Sequence, residues 1–176
     1  MQQSKSKFNL PITVFQRKII ILVAKIVGTL LILFILLFCV FGFTRVDSQI
    51  MAPSIDSGDL VLVFHLDHNY QKGDAVVYKC GDKKCAGRIA GVYGDKIDTD
   101  INGQLFINDQ LLESPYYIRN SFPANTSVEY PLIVGENTVF ILGDNRSEYD
   151  DSRQFGVIKI SDIEGHIIGM FRSHGL

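Results

Sequence analysis

The chain has 176 residues, enough for one globular domain and an anchoring segment. Its 47% hydrophobic content is inflated by a single apolar stretch, and charge is divided unevenly along it. Residues 1–45 hold six basic side chains and no acidic one, so the remaining 131 carry 11 basic and all 19 acidic residues, a net of −8. That balance excludes nucleic acid as the partner of the folded part, because backbone binding needs clustered positive charge.

Residues 1–18 are polar and basic, and Pro11 discourages a continuous helix there. From Ile19 to Phe43 the sequence is apolar except for Lys25 and Thr29. Its uninterrupted part, Ile26–Phe43, would span roughly 27 Å as a helix, close to the hydrocarbon thickness of a bilayer. It is too long for the apolar core of a cleaved leader, and no Ala-x-Ala-like site follows it. Lys25 can snorkel to the headgroups, and the flanking positive charge is concentrated on the N-terminal side. The expectation is therefore a basic cytoplasmic tail over 1–18, a single-pass signal-anchor in the cell membrane over 19–44, and an extracellular domain over 45–176.

Beyond the anchor the pattern changes to short strands with turn punctuation. Leu60–Phe64, Ala75–Tyr78, Arg88–Tyr93, Gln104–Asn108, Thr138–Leu142 and Glu164–Phe171 read as strands, and Ser121–Val134 reads as a loop. With no long amphipathic helix between them, these elements predict a mostly β domain, an antiparallel sandwich or barrel. Three cysteines make no disulfide framework. Cys39 lies in the apolar segment. Cys80 and Cys85 flank a turn-like Gly-Asp-Lys-Lys, and both a disulfide across that hairpin neck and two free thiols fit the pattern. A zinc site is the weaker reading, since no histidine pair completes four ligands. The sequence calls for no metal and no cofactor.

Three boxes carry the chemistry. The first runs from Val46 to Val63, V-D-S-Q-I-M-A-P-S-I-D-S-G-D-L-V-L-V. The second joins Lys72–Tyr78 to Ala86-Gly87-Arg88-Ile89-Ala90-Gly91-Val92-Tyr93-Gly94-Asp95. The third is Gly143-Asp144-Asn145-Arg146-Ser147-Glu148-Tyr149-Asp150-Asp151-Ser152-Arg153-Gln154-Phe155-Gly156. Together they resemble the nucleophile, base and Gly-Asp-Asn-Arg boxes of the type I signal peptidases. Met51, Pro53, Gly58, Asp59, Val61 and Val63 fall in register with the first box. Asn102–Asn108, with Glu113–Tyr116, is similar to a weaker family strip.

What the resemblance implies is a serine-lysine hydrolase frame without its reacting groups. The attacking serine falls at Ile50, the general-base lysine at Gly87, and the mid-box serine that orients the lysine at Tyr149. An isoleucine has no nucleophilic atom and a glycine has no side chain to take a proton. Loss of a serine nucleophile alone costs about a millionfold in kcat. The family pattern further implies two structural ion pairs, Asp144 with Arg88 and Asp151 with Arg153. It also implies a peptide groove lined by Val46, Ser48, Ile50, Met51 and Ala86. Ile55 matches the groove as well, although core packing is its better reading. Ser48 matches a residue that donates to the oxyanion in some relatives.

Proteins combining these boxes with a missing serine and lysine include signal-peptidase-like proteins encoded with sortase-assembled pili in Gram-positive bacteria. The resemblance thus implies a non-catalytic, chaperone-like accessory in sortase-dependent pilus assembly, with the membrane, a pilin subunit or the sortase as partners. The alternatives are an active peptidase using another residue, such as Ser48 or Asp47, or a modulator of the host's working signal peptidase.

Overall fold

A computed structural model describes residues 14–81, 83–113 and 128–172. The chain divides into two compact units, 1–39 and 40–176. The first unit contains nearly all of helix α1, Val14–Val40, whose 27 residues rise about 40 Å at ~1.5 Å each. Beyond Lys18 only Lys25 and Thr29 interrupt its apolar surface, and none of its residues is buried, a pattern that fits a helix in lipid. By length and composition it is the one helix among the described residues fit to cross a membrane.

The helix stops where a sheet begins. Phe41–Arg45 forms strand β1 and pairs antiparallel with β2, Leu60–Phe64, from Phe41 opposite Phe64 to Arg45 opposite Leu60. Residues 41–44, which hydropathy assigns to the membrane segment, are therefore sheet. An apolar strand continuing an apolar helix leaves no break in hydropathy, so the sequence does not mark the junction. Gly42 is required there, because a Cβ would run into the His65 ring.

The strands that follow are β3 (Ala75–Cys80), β4 (Lys83–Gly91), β5 (Lys96–Thr99), β6 (Leu105–Ile107), β7 (Gln110–Leu111), β8 (Leu132–Ile133) and β9 (Thr138–Leu142). A single turn of helix, α2 (Ser152–Phe155), precedes β10 (Ile158–Lys159) and β11 (Ile163–Phe171). They make a seven-stranded sheet in the order β1-β2-β11-β3-β4-β9-β10 and a four-stranded sheet in the order β7-β6-β5-β8. Every described pairing is antiparallel. The fold is the mostly antiparallel β class that the strand pattern predicts.

Burial follows the period-2 alternation. In β2, Val61 and Val63 are fully buried while Leu60 is exposed. Three apolar clusters result. One gathers Val76, Tyr78, Ile89 and Ile141, a second Val46, Ile50, Met51, Val61, Val63, Val77 and Ala86, and a third Ile97, Leu105, Phe140 and Leu142.

Two further expectations change. β4 starts at Lys83, five residues before the predicted strand, because β3 and β4 pair down to Cys80 opposite Lys83. Gly81 takes φ +64° there, a conformation that glycine adopts without cost. Cys80 and Cys85 are disulfide-bonded diagonally across this hairpin, with Cα atoms 5.9 Å apart. The predicted loop at 121–134 lies outside the described residues as far as 127, but its end is strand β8, which pairs Leu132 with Ile97. Residues 114–116 of the weaker family strip likewise lie outside the described residues.

Candidate functional site

The first box is the loop between β1 and β2. Its neck is closed by Val46 N–H donating to Asp59 O (3.0 Å) and Gly58 N–H donating to Val46 O (2.7 Å). Gly58 adopts φ +96° to make that return, which explains a glycine in this position. Inside the loop, Ile55 N–H donates to Met51 O, forming one helical turn that points Ile50, Met51 and Ile55 inward. Asp59 is fully buried, and its Oδ2 accepts from Asp56 N–H at 3.0 Å.

Ile50, which the resemblance puts where the serine would stand, is 0% exposed. Its carbonyl accepts from Asn145 N–H (2.9 Å), and the Asn145 side chain donates to Gln49 O (3.2 Å). The first and third boxes are thereby tied together main chain to main chain. A Cβ at Gly143 would collide with Ile50, so the glycine allows the two loops to approach this closely. The main-chain N–H of Ile50 donates to Ser48 Oγ at 3.2 Å. Ser48, which the resemblance would make an oxyanion donor, thus uses its hydroxyl oxygen to accept from its own loop.

At Gly87 the vacancy left by a lysine is absent. A Cβ there would run into Ile141 Cγ2 and stand 3.1 Å from Tyr78 Cε1. Tyr78, itself fully buried, donates its hydroxyl to Asp150 O at 3.1 Å. Burial pushes its phenol well above the usual range, with Asp151 and Asp150 adding to the shift, so it stays a neutral donor. Tyr149, at the position of the orienting serine, is partly exposed, and the Arg153 guanidinium lies 4.7 Å over its ring, a cation–π contact. Its main-chain carbonyl accepts from Asp151 N–H at 2.7 Å.

The residues read as groove lining are brought together but do not line an open groove. Val46, Ile50, Met51 and Ala86 are at most 5% exposed and form one core cluster with Val61, Val63 and Val77. Ser48 alone of the five retains partial exposure. On a strand or loop face, apolar residues that pack inward and those that meet a ligand look the same in sequence. Ile141 and Tyr78, which fill the space beside Gly87, gave no signal of their own. Both lie on β-strands flanking β4, and only the register places them there.

The charged residues assemble differently. Arg88 grips Asp144 with two donors, Nε at 2.9 Å and Nη2 at 2.8 Å, while its Nη1 donates to Gly73 O at 2.8 Å. Asp151 caps α2: its Oδ1 accepts from the Arg153 N–H at 2.9 Å and its Oδ2 from the Gly143 N–H at 3.0 Å. The same carboxylate pairs with the Arg153 guanidinium at 2.8 Å, both side chains being 0% exposed. Arg153 also donates to the carbonyls of Arg146 and Glu148, and Ser152 Oγ accepts from Ile141 N–H at 2.9 Å. These bonds satisfy the buried side chains of Asp144, Asp151 and Arg153 and tie the box together.

A sequence model of the family described as signal peptidase, peptidase S26, matches residues 19–171. The chain belongs to the S26 signal peptidase family. It is 30% identical over 142 residues to a signal peptidase I of Bacillus caldolyticus, covering 73% of this chain and 78% of that one. It is 26% identical over 153 residues to the inactive signal peptidase IA of Staphylococcus aureus, covering 83% and 87%. A solved signal peptidase I from Enterococcus faecalis is 28% identical, with a TM-score of 0.45, over 55% of this chain and 95% of that one. The first and third boxes are joined through the Ile50 carbonyl and Asn145 N–H, while hydrocarbon from Ile50 fills position 50 and Ile141 and Tyr78 crowd position 87.

Proposed function

We propose that this chain is a membrane-anchored, non-catalytic S26 protein that serves as a chaperone-like accessory in sortase-dependent pilus assembly, engaging a pilin subunit or the sortase. The observation that carries the non-catalytic reading is the filled site. Ile50 is fully buried, and the volume next to Gly87 is taken by Ile141 and Tyr78. Acyl transfer on this frame needs a hydroxyl beside an unprotonated amine, aimed at a bound carbonyl, and these two positions supply neither. The staphylococcal relative named as inactive supports the existence of such members in the family. The anchoring role is supported by α1. The pilus role rests on the likeness of the three boxes to signal-peptidase-like proteins of pilus systems.

Two experiments test the two halves. The full chain, reconstituted in vesicles and mixed with secretory and pilin precursors, is expected to cleave none of them. Turnover that Ser48→Ala abolishes would show an enzyme with a relocated nucleophile. In the native host, deleting the gene is expected to cost surface pili while precursor processing continues. Accumulated precursors with intact pili would instead mark a modulator of the working signal peptidase.

A further inference from the structure

The β6–β7 hairpin lies outside the three boxes, in the part of the chain that carries the weaker family strip. Asn108 and Asp109 form its turn, both at positive φ, so Ile107 stands opposite Gln110 and Phe106 opposite Leu111. Beyond that pair, Leu112 N–H donates to Leu105 O at 2.8 Å. Bonded and non-bonded pairs alternate along an antiparallel ladder, so Leu111 turns its N–H and C=O away from β6. β7 is also an end strand of its sheet, with β6 on its other side. The hairpin therefore presents one main-chain donor and one acceptor on an open edge.

A cavity of about 430 Å³ adjoins this edge, and its lining includes Lys72, Ile107, Gln110, Leu111, Leu112 and Glu113. Side chains alternate across a strand, so Gln110 and Leu112 face one side of the hairpin and Leu111 the other. A cavity bounded by all three runs along the edge of β7 and not over a single face. Ile107, Leu111 and Leu112 make much of the lining aliphatic. Lys72 adds little net charge, because its ammonium lies 3.2 Å from Asp95 Oδ1. Glu113 is exposed, and among the described residues no hydrogen bond or ion pair engages its carboxylate. An aliphatic cavity with one uncompensated carboxylate matches a side chain with an apolar stem and a cationic tip.

We infer that the open edge of β7 is a docking site for an extended segment of a partner protein, which adds as a strand beside Leu111 and lays a lysine or arginine side chain in the cavity against Glu113. Main-chain pairing sets the register of such a segment, and the pocket for its alternate side chain sets the selectivity. An acidic segment would be repelled by Glu113, and a purely apolar one would desolvate the carboxylate without a partner. The site lies in the second sheet and stands whether or not the partner is a pilin or the sortase.

The test pans a library of displayed random decapeptides over the full chain in phosphatidylcholine nanodiscs. Retained peptides are expected to share a lysine or arginine. Synthetic copies are expected to bind Glu113→Gln about tenfold more weakly, the scale of a lost charge-assisted hydrogen bond. Glu113 is exposed, so this variant should fold as the parent does. Norleucine in place of the basic residue is expected to cost as much, and the two changes together no more than either alone, which marks one shared contact. Hydrogen exchange locates the site. With peptide at roughly ten times its Kd, the Leu111 amide is expected to exchange about tenfold more slowly. Ile133, on β8 at the opposite edge of the same sheet, serves as the reference and should keep its rate. A library that yields no binder overturns the site, as do binders without a basic preference or indifferent to Glu113→Gln. Protection that falls on Ile133 or on the three boxes while Leu111 is unchanged overturns it as well.

Discussion

The box at Gly143–Gly156 and the pair of positions 50 and 87 share one wall of the molecule and have been treated in opposite ways. In the box, Asp144, Asp151 and Arg153 are buried with their hydrogen bonds made. At positions 50 and 87, where the resemblance would put a serine and a lysine, Ile50, Ile141 and Tyr78 pack hydrocarbon closely. Buried charges in the box are therefore maintained by the folding of these loops and need no chemistry at the neighbouring positions. A network that survives without the reacting groups is holding shape.

The sharpest way to break this contrast is inside the box. Asp151→Ala leaves the Arg153 guanidinium buried without its carboxylate, removes the cap of α2 and frees Gly143 N–H. Uncompensated burial of one member of such a pair costs about 3–5 kcal/mol, a large fraction of a typical domain's stability. Denaturant midpoints of the full chain in detergent measure it. Arg88→Met is next, at about 3 kcal/mol, since it strands the fully buried Asp144 while keeping much of the apolar stem. If either variant unfolds at the same denaturant concentration as the parent, the box does not hold the fold.

Positions 50 and 87 are expected to behave as core. Ile50→Ser loses about 3 kcal/mol, as large-to-small core changes do. Gly87→Ala costs about 1–3 kcal/mol by overpacking, less by about 1 kcal/mol in an Ile141→Ala background because that change removes the Cγ2 in the way. The joint variant Ile50→Ser/Gly87→Lys, which restores both family residues, is expected to cleave no signal-peptide substrate. Measurable turnover by that double variant would mean that the wall is plastic and the site merely undressed.

Much of this division was legible in the sequence, for a physical reason. Within the contiguous string Gly143–Gly156, Asp151 and Arg153 satisfy each other two positions apart, so that part of the network is specified locally, whereas Asp144 and Ser152 find Arg88 and the Ile141 N–H outside it. The absence of reacting groups at Ile50 and Gly87 could be read from residue identity. What filled the space could not, because Tyr78 and Ile141 reach Gly87 through strand register across three strands. Of the groove residues Val46, Ser48, Ile50, Met51 and Ala86, all but Ser48 are buried, and apolar side chains carry no mark in the sequence of whether they face a ligand or each other. The end of α1 was misplaced by the continuity of Val40 with Phe41, two apolar residues on either side of a change from helix to strand.

A buried carboxylate elsewhere sharpens the contrast on a smaller scale. Asp95 sits at the start of the second sheet, where it accepts from Val92 N–H (2.9 Å), the Asn108 amide (2.7 Å) and the Lys72 ammonium (3.2 Å). Burial, the largest single influence, pushes its carboxyl up, but the three donors together outweigh it and hold it below its ordinary value. Because the folded value lies below the unfolded one, near 3.9, Asp95 stabilises fully above the ordinary carboxylate range. The contribution fades as pH falls through the folded value. The stability gap between the parent and Asp95→Asn should thus be flat near neutrality and shrink below about pH 4. Salt should divide the two kinds of pair. Lys72 is 49% exposed, so 0.5 M salt is expected to narrow the gap by the Lys72 share and no further. The loss caused by Arg88→Met, whose pair with Asp144 is 11% and 0% exposed, should be nearly indifferent to salt. Equal salt sensitivity of the two would mean that water reaches the Gly143–Gly156 wall after all.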